Sequence, residues 1–198
     1  MDERRYKTLK RVAIVLGLFW IGWTLYDGML QAPTQPGETA FTAGNHAFED
    51  GLYGDAINYY EESLEEVPDN LPSQRGIARS LMQLGRLDEA LAIFNKVIAR
   101  EPEFAASYAN RGILNDRLGR YQEALTDYEK ALSLDSELAE GPGFLTRFMR
   151  NQSEKPPTIA NRAVYLKEQL DKPESERVLR VVEEDEKQRS YKYEPEEK

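Results

Sequence analysis

One regularity constrains this chain more than any other: residue types recur every 34 positions through its middle. Gly51, Gly85 and Gly119 are spaced 34 apart, and Tyr53, Leu87 and Tyr121 repeat with them. Ala56, Ala90 and Ala124 keep the same spacing, as do Tyr60, Phe94 and Tyr128, and then Ser63, Val97 and Ala131. Gly44, Ala78 and Gly112 supply a small residue earlier in each unit, while Pro68 and Pro102 close the first two units, with Ser136 in the third. A period of this length is the mark of a solenoid, in which each unit buries its apolar face only by stacking on its neighbours. Small residues suit the crossing of two helices, and a glycine suits the end of the first helix, where a left-handed residue satisfies stray carbonyls. The aromatic fills the space between helix pairs, and the proline stops the second helix.

These blocks resemble the tetratricopeptide repeat, whose pattern places a small residue at position 8, an aromatic at 24 and a proline at 32. The resemblance covers residues 37–138, as units 37–70, 71–104 and 105–138. It implies an all-α fold, a right-handed superhelical stack of helix-turn-helix hairpins. Three clear repeats need capping, and residues 139–182 are expected to supply a degenerate fourth hairpin. Its first helix would carry Phe144, Leu145, Phe148 and Met149 after Gly141-Pro142-Gly143; its second would carry Ile159, Ala163, Leu166 and Leu170. Residues 183–198 hold seven acidic and four basic residues and little to bury, a composition expected of a mobile tail. Tyr191 and Tyr193 within it have two readings, a partner-docking peptide or solvated tail.

Ahead of the repeats, Val12 to Tyr26 runs for 15 residues without a charge. A transmembrane helix over 12–30 is expected, behind a basic flank (1–11) and before a proline-containing linker (31–37). A cleaved secretory signal is the rival reading. Trp20, Trp23 and Tyr26 at the distal end, basic residues able to snorkel at the other, and the absence of a good cleavage site favour retention. Ala13 and Gly17 form a small-xxx-small pair, more simply read as lipid-facing small residues than as a helix contact. The flank holds five basic residues against two acidic ones, whereas the remaining chain holds 21 basic and 33 acidic. The positive-inside rule then keeps the N-terminus in the cytoplasm and, in a bacterium, sends the repeats from the inner membrane into the periplasm. An acidic body repels phosphate backbones, so no nucleic-acid partner is expected.

In arrays of this family the first helices line a concave groove through positions 2, 5, 6, 9, 12 and 13. Carried over by register, the resemblance assigns Phe41, Asn45, Phe48 and Glu49 to the groove from the first repeat. The second contributes Arg75, Arg79, Met82 and Gln83, and the third Ala109, Asn110, Ile113, Asp116 and Arg117. Arg75 and Arg79, four apart on one helix face, suit a carboxylate or the carbonyls of a bound segment. Equally, they suit pairing with Glu49 and Asp116. Some relatives clamp chaperone C-termini with lysines, asparagines and an arginine at slots that here hold Phe41, Asn45, Gly76, Ala106 and Asn110. Only Asn45 matches, so that clamp is not expected.

Catalysis is not expected either. There is no cysteine, and His46 is the only histidine, placed where it should pack on its own hairpin partner. No nucleophile elbow or phosphate loop is present, and no metal or other cofactor is expected. The expected function is that of a membrane-anchored scaffold or adaptor binding a protein segment in its groove, in aid of an envelope complex. The alternative is a structural subunit of a membrane complex held mainly through its transmembrane helix.

Overall fold

A computed structural model describes residues 3–30, 35–141 and 157–180, with side chains from Lys10 to Tyr26 in the first segment. Among the described residues there are eight α-helices and no strands. They are α1 (Glu3–Leu30), α2 (Glu38–Glu49), α3 (Tyr53–Glu66), α4 (Leu71–Gln83), α5 (Leu87–Arg100), α6 (Ala105–Arg117), α7 (Tyr121–Leu134) and α8 (Ile159–Leu170). From α2 to α7 each helix packs on the next, and α8 packs on α7.

The punctuation falls where chain chemistry puts it. Gly51, Gly85 and Gly119 follow α2, α4 and α6 with φ of 78°, 75° and 73°, a left-handed conformation that glycine adopts without steric cost. Backbone hydrogen bonds from Leu52, Arg86 and Arg120 back to Ala47, Leu81 and Asn115 close three equivalent corners. Val67 and Glu101 precede prolines and leave the helical region at φ −133° and −127°, ending α3 and α5. Asn70 caps α4, accepting the Ser73 N–H at 3.1 Å, and Thr158 and Asn161 form a reciprocal capping box on α8.

The core is one continuous apolar cluster through the stack, from Ala47 and Tyr60 to Tyr128 and Leu166. Tyr60 shows how the repeat slots pack. Its ring is fully buried between Gly44 of its own hairpin and Gly76 of the next: a Cβ would lie 2.7 Å from Tyr60 Cδ1 at the former and 2.5 Å from Cζ at the latter. Gly112 relates to Tyr128 as Gly44 does to Tyr60, with a Cβ falling 2.6 Å from the ring.

Buried charges tie the far end together. Arg162 of α8 donates two hydrogen bonds of 2.7 Å to the Asp116 carboxylate of α6, and Tyr128 Oη donates to the same carboxylate at 3.2 Å. Arg111 grips Asp127 through Nε and Nη2 at 2.9 and 2.6 Å and reaches Asn95 through Nη1. Beyond α8 the chain turns back as a short strap over residues 177–180. Tyr165 Oη donates to the Val178 carbonyl, Arg162 Nη2 donates to the Leu179 carbonyl, and the Val178 N–H donates to Gln169 Oε1. Leu179 rests against the core.

Two expectations need correction. The first is the transmembrane helix: among the described residues no helix is long and apolar enough to cross a membrane. The uncharged run of α1 has 15 residues, about 22 Å at 1.5 Å per residue, short of a hydrocarbon core of about 30 Å. Its large apolar side chains are 49–70% exposed. The second is His46, which is exposed rather than packed on its hairpin partner, because the buried face of α2 is made by Ala40, Gly44 and Ala47. The expected first helix of the fourth hairpin (144–149), most of the linker and the tail (183–198) lie outside the described residues.

Candidate partner-binding groove

A depression opens where α2, α4 and α6 present their inner faces. It is lined by Phe41, Asn45, Pro72, Arg75, Arg79, Phe104, Ala106 and Asn110. The 34-residue spacing brings these together: positions 5 and 9 of the first two repeats (Phe41, Asn45, Arg75, Arg79) fall beside positions 2 and 6 of the third (Ala106, Asn110). Pro72, near the start of α4, and Phe104, the residue before α6, join them from the turns between repeats.

Two guanidinium groups define the electrostatics. Arg75 is 5% exposed and lies over the Phe104 ring, 3.9 Å from its centroid, while its Nη1 pairs with Glu101 in the turn between α5 and α6. Arg79 is 7% exposed and lies 4.1 Å over the Phe48 ring. Burial pushes the Arg79 pKa down, and Tyr60 and Glu49 nearby offset part of that. Stacking and pairing fix both planes, which removes much of the ordering cost an arginine normally incurs on binding. Asn45 Oδ1 accepts the Tyr60 hydroxyl at 2.9 Å, which orients the amide. Burial raises the Tyr60 pKa to about 12, so the phenol remains a donor.

The other expected groove residues divide. Phe41 and Phe48 are half-buried beside the depression, with Phe41 stacked 5.9 Å from Tyr60. Asn110, 1% exposed, lies at its floor. Arg117 is exposed on α6, and its Nη1 donates to the Met82 carbonyl at 3.3 Å, bridging to α4. Met82 and Ile113, each 1% exposed, sit inside the stack and offer a ligand no surface. Asp116 is held by Arg162 of α8. Sequence reading missed Phe104 and Pro72, whose signal was available: both flank first helices at the repeat boundary. It also missed Glu101, whose pairing with Arg75 spans 26 residues. Among the described residues no cluster of acidic or histidine side chains is arranged to hold a metal ion.

Comparison with known proteins agrees with this geometry. A tetratricopeptide-repeat family model matches residues 47–110 and a second matches 105–138. The chain is 27% identical over 97 residues to Hsp70-Hsp90 organizing protein 3 of Arabidopsis thaliana, covering 49% of this chain and 17% of that protein. It is 34% identical over 106 residues to RNA polymerase II-associated protein 3 of Xenopus laevis, covering 52% and 16%. It therefore spans only a small part of the length of these relatives. Among solved structures, the first TPR of Spaghetti (RPAP3) bound to HSP90 peptide SRMEEVD superimposes with a TM-score of 0.56 at 21% identity, over 71% of this chain and 100% of that one, a likeness of fold. The helical stack, its three glycine corners and these matches lead to one conclusion: residues 47–138 of this chain are tetratricopeptide repeats.

Proposed function

We propose that the chain is a non-enzymatic adaptor that captures an extended segment of a partner protein in the depression between α2, α4 and α6. The observation that carries this reading is the pair Arg75 and Arg79: two nearly buried guanidiniums, each laid on a phenylalanine ring, among the amides of Asn45 and Asn110. Such a floor favours carboxylates and backbone carbonyls, and Phe41, Pro72 and Phe104 supply apolar walls. The structural neighbour solved with an HSP90 peptide bound to it supports peptide capture as the mode. The slots of the chaperone clamp hold Phe41, Gly76, Ala106 and Asn110 here beside Asn45, which argues for a different segment. The test is crosslinking in intact cells with Arg75→Gln/Arg79→Gln, its fold checked by circular dichroism. Loss of the crosslinked partners is expected. A folded variant that captures an unchanged set removes the groove from the reading.

Attachment of α1 to the surface of a membrane, in a bacterium the periplasmic face of the inner membrane, is the second part of the reading. A helix run that is apolar all round and exposed needs a bilayer or another apolar surface, and five basic residues precede it. Recovery of the full chain in the membrane fraction, and its loss on replacing Val12, Ile14, Leu16 and Phe19 with serine, is expected. Retention by that variant overturns the attachment. If the membrane complex is instead held by α1 itself, an unrelated apolar helix over 12–26 abolishes complex formation while Arg75→Gln/Arg79→Gln does not.

A further inference from the structure

The lining of the groove is rich in hydrogen-bond donors and poor in acceptors. Phe41, Pro72, Phe104 and Ala106 carry no polar side-chain atom, and Arg75 and Arg79 can only donate. The Asn45 oxygen is taken by the Tyr60 hydroxyl, which leaves the amide's NH2 group for a ligand; that group has no partner among the described residues. Asn110 supplies the one other side-chain oxygen in the lining. A ligand rich in N–H groups would therefore leave them unsatisfied here. Little net charge remains to attract a carboxylate, since Glu101 pairs with Arg75 and Glu49 acts on Arg79.

The apolar walls are spaced to suit one kind of backbone. Each repeat contributes one beside its first helix: Phe41 on α2, Pro72 in the first turn of α4, and Phe104 immediately before α6. Helices α2 and α4 touch where Arg79 lies over Phe48, and α4 and α6 touch where Arg117 meets the Met82 carbonyl. The walls thus recur at the packing distance of helices, about 8–10 Å. A polyproline II segment turns once in three residues and rises about 3.1 Å per residue, a repeat of about 9 Å. Its carbonyls are all open, since it makes no internal hydrogen bond, and each proline lacks an N–H. Grooves lined by aromatic side chains hold such segments at little ordering cost. We propose that the captured segment is proline-rich and lies as a polyproline II helix, its rings on Phe41, Pro72 and Phe104 and one carbonyl accepting from Asn45 Nδ2. This deepens the groove reading and rests on it.

Two peptides of equal length are titrated into the isotopically labelled full chain: acetylated, amidated nonaproline, and an acidic glycine–glutamate peptide with a free C-terminus. Nonaproline is expected to bind more tightly and to shift the Asn45 side-chain amide and the backbone amides of Phe41 and Ala106. Because it carries no charge, its affinity should hold in added sodium chloride. Asn45→Asp keeps an oxygen for the Tyr60 hydroxyl but replaces the donor with an acceptor, and should weaken nonaproline binding by about tenfold or more. Ala106→Gln fills the depression from a half-buried position in the first turn of α6, and should weaken it too. Equal or tighter binding of the acidic peptide at the same amides overturns the proline preference and leaves the groove reading intact. Unchanged nonaproline affinity in either variant, folded as the parent by circular dichroism, overturns it as well. If neither peptide shifts those amides, the preference and the groove reading both fall.

Discussion

Gly76→Ala tests the packing logic of the array at its tightest point. The new methyl carbon would sit 2.5, 2.6 and 2.7 Å from Tyr60 Cζ, Cε2 and Cε1, about an ångström inside van der Waals contact. The ring has nowhere to retreat. Its other side meets Gly44, where a Cβ would lie 2.7 Å away, and its hydroxyl is bonded to Asn45. Overpacking of this kind costs about 1–3 kcal/mol, and a ring held on both sides belongs at the upper end. Alanine in a helix interior regains about 0.8–1 kcal/mol over glycine. The net expectation is a loss of about 2 kcal/mol, read as a lower urea midpoint at unchanged slope by circular dichroism. The decisive comparison uses Tyr60→Leu as background, since leucine lacks the ring atoms that meet Gly76. There the same substitution should stabilise by about 1 kcal/mol, giving a coupling of about 3 kcal/mol. A Gly76→Ala protein as stable as the parent, or a loss that persists in the Tyr60→Leu background, refutes the reasoning.

Three further outcomes are expected. Because burial raises the Tyr60 pKa from 10.0 to about 12, the folded state holds a proton the unfolded state releases. The phenol's contribution is complete below pH 10 and is lost as pH rises toward 12, by about 2–3 kcal/mol in all; urea midpoints at pH 9 and 11.5 should show the fall, reduced in Tyr60→Phe. Asp116→Ala strands Arg162 and should cost about 3–5 kcal/mol, whereas Asp116→Leu/Arg162→Met should recover much of that in the same assay, since the pair's burial is itself costly. Thr158→Ala removes the capping box of α8 and should cost about 1 kcal/mol by thermal unfolding, with hydrogen exchange at the α8 amides rising first.

The helical hairpins were legible in the sequence because their determinants are local and repeated. A glycine ending a helix, a proline ending the next and an aromatic between them act within one unit, and their recurrence multiplies the signal. The groove was legible only as far as register extends. Arg75, Arg79, Asn45 and Asn110 face the depression, but Met82 and Ile113, on the same nominal stripe, turn inward as the stack coils. Gly76 carried no signal of its own, since its purpose is set by a ring sixteen residues earlier in another repeat. Asp116 and Arg162 lie 46 residues apart, and nothing in either neighbourhood points to the other. The strap is held largely by side chains bonded to main-chain atoms, which any residue provides. For α1, apolar character was plain, but a few residues of length separate a crossing from an exposed helix.

Tyr60 between two glycines has a consequence for how such a molecule is assembled from units. At position 6 the second repeat carries Gly76, whereas the third carries Asn110; at position 24 the first repeat carries tyrosine and the second phenylalanine. Each seam therefore has its own lock and key of volume, and the order of the modules is written into them. Transposing the second and third units would drive the Tyr60 ring into an asparagine, so this array can be read in one order only, although its modules share a single blueprint.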